Sequence, residues 1–134
     1  MTTPAIEVGT TLPAFVIDAV DPEKMKLMAA LLRDPNPIHI DADSVRALGL
    51  GDRVINQGPN NLSYVLTMVS RWAGGIEALR TVQMRFLGNV FAGERVECGG
   101  TVSAIDADSG TATLDVHATA DGRPVLQGTI VVAR

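Results

Sequence analysis

Pro59-Asn60-Asn61-Leu62-Ser63-Tyr64-Val65-Leu66-Thr67-Met68-Val69-Ser70-Arg71-Trp72-Ala73 is the stretch whose reading decides the fold. Proline stands at the first helical position and Gly74-Gly75 past the end, so the segment reads as one helix over residues 59–73. Leu62, Val65, Leu66, Val69 and Ala73 repeat at helical spacing, and Tyr64, Met68 and Trp72 fall four apart on another side. Only Ser63, Thr67, Ser70 and Arg71 make a polar strip. A helix apolar around most of its circumference is a buried helix, so something must wrap it.

The residues after it supply the wrapping. From Val82 onward apolar and polar positions alternate between turn signals, as antiparallel strands do. Val82, Met84 and Phe86 fall on one face and Gln83 and Arg85 on the other. Val96, Cys98 and Val102 follow Ala92-Gly93, and Leu114, Val116 and Ala118 line a strand between turns at Asp106 to Gly110 and Asp121-Gly122. Pro124 to Ala133 forms the last strand. Gly99-Gly100 inside a strand suits a bulge or close packing.

Upstream, residues 5–11 read as a lead-in and Leu12 to Val20 as a first strand. Asp21-Pro22-Glu23 starts a helix, with a capping carboxylate, a proline at the first position and an acid in the positive first turn. Met25, Met28, Ala29 and Leu32 repeat along it, widened by Leu27 and Leu31. Asp41 or Asp43 caps a short helix through Val45 to Leu48 that Gly49 closes, which makes Asp41 structural. Gly49 to Gln57 is a loop. The pattern by itself gives an α+β domain over residues 1–134, its sheet curled around the second long helix.

Between the first two helices lies Arg33-Asp34-Pro35-Asn36-Pro37-Ile38-His39-Ile40-Asp41. Pro35 and Pro37 fix their own torsions and push Asp34 and Asn36 out of helical geometry. The result is a stiff corner carrying a carboxylate and an imidazole five residues apart, and held together those two groups make an acid/base pair. Asp-Pro-Asn-Pro is equally ordinary turn chemistry, with Asp34 and Asn36 bonding nearby amides and His39 a satisfied core or surface histidine.

Asp34, Asn36, Pro37, His39 and Asp41 match Asp-x-Asn-Pro-x-His-x-Asp, and in this the chain resembles the MaoC-like hydratases, which include the (R)-specific enoyl-CoA hydratases. The resemblance implies a hot-dog fold, with Asp34 and His39 as the catalytic pair. It implies that Gly58 donates a backbone amide to the thioester oxygen, with Asn36 beside it among the oxyanion and substrate-binding candidates. It implies hydration of a trans-2-enoyl thioester of CoA or acyl carrier protein to the (R)-3-hydroxyacyl thioester, or the reverse dehydration, without redox or metal cofactor. A hot-dog acyl thioesterase and a non-catalytic or half-active acyl-binding subunit are the competing readings. Asn56-Gln57 departs from the Ala-His common in relatives, and Pro59 has no amide hydrogen for a second backbone donor. Asn60, Asn61 and Ser63 in the first turn either substitute or cap the helix. An exposed sheet edge predicts a homodimer, or pairing with a similar chain.

Composition bounds the rest. With 134 residues and 46% apolar content the chain fills one sizeable core. A net charge of −4 with scattered basic residues points away from nucleic acid and anionic membranes. A lone cysteine, Cys98, excludes an intramolecular disulfide and fits a reducing compartment. Met1 to Gly9 has no basic start followed by an apolar run, and no apolar segment spans a bilayer, which together predict a cytoplasmic protein. Two histidines, His39 and His117, without cysteine pairs or a His-Glu-x-x-His spacing give no metal-site pattern. His117 shares a polar strand face with Thr113, Asp115 and Thr119, as a solvated or interface residue does. Asp52 and Arg53 read as solvated, with a phosphate or a partner subunit as the alternative for Arg53.

Overall fold

A computed structural model describes residues 5–134, so the first four residues of the expected domain and of the Met1 to Gly9 segment lie outside it. Three helices, α1 (Pro22–Leu32), α2 (Ala42–Ala47) and α3 (Gly58–Ala73), precede most of the sheet. The strands are β1 (Phe15–Ile17), β2 (Leu79–Phe86), β3 (Val96–Asp106), β4 (Thr111–Ala120) and β5 (Arg123–Ala133). They form one antiparallel sheet in the order β1-β3-β4-β5-β2. β4 lies at its centre because the turns at 106–110 and 121–122 hairpin it to both neighbours.

Alternation along β3, β4 and β5 sends Val96, Cys98, Val102, Leu114, Val116, Ala118, Ile130 and Val132 inward, each buried, onto Val65, Met68 and Val69 of α3. Fully burying one such aliphatic side chain contributes roughly 1.5–3 kcal/mol, so the α3–sheet interface supplies most of the apolar driving force. This is the hot-dog arrangement, a curled sheet around one helix. No helix among the described residues is long and apolar enough to cross a membrane.

Three expectations change in detail. The first strand is only Phe15–Ile17, because Pro13 offers no amide and residues beyond Ile17 bend away, Val20 exchanging backbone bonds with Gly93 and Glu94 instead of continuing along β3. Of the expected inward row on β2, Met84 reaches the core while Val82 and Phe86 are 40% and 53% exposed. β2 is the sheet's edge, where only its end at Phe86 meets the start of α3. Gly99-Gly100 is close packing and no bulge: a β-carbon at Gly99 would stand 2.8 Å from the His117 ring, and one at Gly100 3.1 Å from Val116. The register shift in that strand falls later, between Val102 and Ala104.

Candidate active site

The end of α1 builds the corner. Arg33 adopts left-handed torsions (φ 52°, ψ 42°), and the amides of Arg33 and Asp34 fold back onto the carbonyls of Ala30 and Ala29. This stops the helix one residue before Asp34 and turns that side chain off the helix axis. Asp34 Oδ1 accepts the Asn36 amide at 3.0 Å. Asn36 in turn accepts the Ile38 amide at 3.3 Å and caps a short 3-10 turn over Pro37–His39. Asp41 then caps α2 through Asp43 N–H and Ser44 Oγ–H, which hold its carboxyl below the usual carboxylate range, the serine bond foremost. Asp41 is the structural residue its position predicts.

The turn bond and the approach of the carboxylate to the imidazole coexist in the corner, because they use different oxygens. While Asp34 Oδ1 holds the turn, Oδ2 stands 3.3 Å from His39 Nε2. His39 is buried at 7% exposure and Asp34 keeps about a third of its side chain in solvent, 32%. The imidazole is fixed from behind, Nδ1 donating to the Ile55 carbonyl at 2.6 Å. A carbonyl only accepts, so Nδ1 carries a hydrogen and Nε2 is the ring nitrogen turned toward Asp34. Ile55 N–H donates back to Ile38 O at 2.9 Å, so the 55–57 segment and the corner are tied by two bonds.

That same segment leads into α3. Its N-cap, Gln57, makes no side-chain cap, and the first ladder bond runs from Asn61 N–H to Gln57 O at 3.2 Å. The Gly58 amide therefore stands ahead of the ladder, at the positive end of a 16-residue helix, as an anion donor requires. A β-carbon at Gly58 would lie 3.3 Å from the Phe86 ring, so the glycine lets the edge strand close over the helix start.

The sequence reading missed what occupies the space behind that start. Gln57, Asn56, Asn60 and Asn61 are all buried and hydrogen-bond one another, with Tyr64 at the end of the chain of bonds. The signal was available: four amides within six residues, opening an otherwise apolar helix. Asn60 commits both amide hydrogens inward, to Asn56 Oδ1 and Gln57 Oε1, and Ser63 Oγ–H is taken by the Asn60 carbonyl at 2.6 Å. Neither side chain is left to replace the missing Pro59 amide. Asn36, exposed and with its oxygen committed to the Ile38 amide, stands in the wall of the corner.

Two other charged groups resolve as structural. Glu94, buried at 2%, accepts Arg123 and the Phe91 amide, pinning the turn before β3 to the start of β5. Arg53 donates to Ala92 O and lies over Phe91. Cys98 is buried beneath α3, and burial pushes its thiol up to about 12.

No curated protein matches the sequence. Among solved structures, the (R)-hydratase from A. caviae involved in PHA biosynthesis superposes with a TM-score of 0.87 at 23% identity, over 98% of both chains. A MaoC-like dehydratase gives 0.90 at 26% identity, over 96% of this chain and 40% of its own length. The ChsH1-ChsH2 complex from Mycobacterium tuberculosis gives 0.82 at 23%, over 96% and 98%. The fold also extends to a fluoroacetyl-CoA-specific thioesterase, at 11% identity and a TM-score of 0.68. Residues 5–121 match the model of the MaoC-like domain. With a motif, a sheet-wrapped helix and a family model in agreement over most of its length, the chain belongs to the MaoC-like domain family.

Proposed function

We propose that this protein hydrates trans-2-enoyl thioesters of CoA or acyl carrier protein to (R)-3-hydroxyacyl thioesters, and dehydrates them in reverse. The observation that carries the reading is the Asp34–His39 pair, 3.3 Å apart and buried on the imidazole side. Water adds its oxygen to the β-carbon, and its proton passes to the pair. The alkene electrons move onto the thioester oxygen, and the α-carbon then draws a proton from the pair, which returns to its starting state. Because Nδ1 is held by Ile55, every proton that His39 exchanges with substrate goes through Nε2. The Gly58 amide takes the charge on the thioester oxygen, a contribution on the order of 3 kcal/mol for one well-placed donor.

Neither a redox cofactor nor a metal enters this scheme. The partner we infer is a second copy of the chain or a similar chain, paired along β2, whose edge carries the exposed Val82 and Phe86, with Phe86 beside Gly58. A cytoplasmic location accords with the lone, buried, neutral Cys98.

Incubation with crotonyl-CoA and a longer enoyl-CoA, following enoyl absorbance and free thiol together, tests the reading. Loss of enoyl absorbance without thiol release is expected. Thiol release identifies a thioesterase instead, and inertness toward every substrate by the assembled protein identifies an acyl-binding subunit.

A further inference from the structure

The short run of chain from Ile55 to Gly58 joins the parts of the proposed site. The Ile55 carbonyl and amide hold His39 and Ile38, and Gly58 opens α3 with its amide ahead of the ladder. Between them the Gln57 side chain turns away from the helix it precedes. Its Nε2 donates to the Met25 carbonyl at 2.8 Å; since that carbonyl only accepts, the orientation of the amide is fixed, with Oε1 receiving Asn60 Nδ2 at 3.1 Å. Asn60 gives its other hydrogen to Asn56 Oδ1, and Asn56 is thereby forced to donate both of its own, to Asn61 Oδ1 and Tyr64 Oη. Each side chain dictates the next, starting from Met25.

Met25 belongs to α1, the helix that ends just before Asp34, and both Met25 and Gln57 are enclosed, at 0% and 1% exposure. The α1–corner unit therefore meets the start of α3 at two separate places, at Ile55 beside the imidazole and at Gln57 within α1. One contact leaves two rigid elements free to pivot. A second, offset from the first, fixes the angle between them. Gln57 is also the N-cap of α3, the position from which a Ser, Thr, Asp or Asn side chain bends back onto the free amides of the helix. Gln57 makes no such bond. It supports the helix start through α1 and leaves the amides at its mouth open.

We propose that Gln57 is a positioning residue for hydration: anchored on Met25, it fixes the Gly58 amide relative to the Asp34–His39 pair without occupying the amide site itself. This rests on the hydratase reading and adds how the two halves of that site are held in register. Proton exchange at His39 and charge uptake at Gly58 act on one thioester at the same time, so a relative shift of about 1 Å costs on the order of 10²-fold in rate. The pair, built within the corner, stays a pair when the anchor is lost.

The test compares the native chain with Gln57→Leu and Gln57→Asn, each as it assembles and well below its melting temperature. Leucine has no hydrogen bond to give. Asparagine is one methylene shorter and a favoured N-cap, so it breaks the anchor, covers the α3 amides and costs less stability than leucine. Both variants are expected to lower kcat for crotonyl-CoA by about 10- to 100-fold with KM within about twofold, as loss of a transition-state contact does. The carbonyl-carbon NMR signal of bound, carbonyl-labelled butyryl-CoA, moved downfield by the Gly58 amide in the native chain, is expected to return toward its free position in both. Losses of kcat that merely track the melting temperatures overturn the proposal. If Gln57→Leu does not fold by circular dichroism, Gln57→Asn decides alone. Native turnover, with kcat and carbonyl signal unchanged in the folded variants, sinks this inference and leaves the hydratase reading standing. A carbonyl shift that the variants lose, without turnover by the native chain, sinks the hydratase reading and leaves the hold of Gln57 on Gly58. No binding of butyryl-CoA sinks both.

Discussion

The proline corner and the start of α3 meet at Ile55, yet they are held by opposite means. In the corner, backbone geometry does the holding: two prolines, a left-handed Arg33, and side chains that cap amides two residues away. At the start of α3 the backbone is left open, uncapped, and the holding is done by a chain of amide side chains anchored on Met25, 32 residues upstream. A reactive pair needs fixed separation, which stiff local chemistry supplies cheaply. An anion-binding helix start needs its amides unoccupied, so its support must come from elsewhere in the fold.

The largest effect expected from breaking either half comes from the corner. Asp34→Asn and His39→Ala should each lower kcat/KM for crotonyl-CoA by about 10²–10⁴-fold, the range for a positioned acid or base. The thermal unfolding of Asp34→Asn should stay close to the parent's, since it keeps the oxygen that accepts the Asn36 amide, whereas His39→Ala also removes the donor to the Ile55 carbonyl and should melt somewhat lower. A drop in hydration matched by a collapse in melting temperature would mean the pair is structural.

Gln57→Leu strikes the other half. It removes the side-chain donor to the buried Met25 carbonyl and the acceptor that orients Asn60, a cost of about 1–3 kcal/mol by denaturant unfolding. The corner, being locally built, should keep the His39–Asp34 pairing, visible as an unchanged His39 imidazole signal by NMR. Loss of that signal in the variant would show the two regions to be one unit.

Cys98, beneath α3, reports on the same support. With its thiol held up to about 12 by burial, it should resist iodoacetamide at pH 8 in the native chain and react once unfolded. The folded thiol ionises later than the unfolded one, whose ordinary value is 9.0. Its contribution to stability is therefore complete below pH 9 and declines as the pH rises from there toward 12. Gln57→Leu should speed labelling by loosening the helix above it.

The smallest effect is Arg33→Gly. Left-handed torsions cost a residue with a β-carbon up to about 1 kcal/mol, so glycine here should leave the melting temperature level or slightly raised. A large loss would show that the Arg33 side chain, and not its backbone, shapes the corner.

How far the chain could be read in advance follows the same division. The helix over 59–73, the hairpin turns, the caps at Asp21 and Asp41 and the Asp34–His39 corner are local patterns, in which each residue acts on neighbours a few positions away, and they stand in the structure as their spacing implies. What needed the fold was everything that depends on distant partners. The edge position of β2 left Val82 and Phe86 partly uncovered, although their alternation matches that of the core strands. The Ile55 carbonyl, 16 residues away, turned Nε2 of His39 toward Asp34, and the Met25 carbonyl set the orientation of Gln57 and so of every amide after it. A sequence states which groups can donate and accept; only packing decides which of them are already paired and which are left for a ligand.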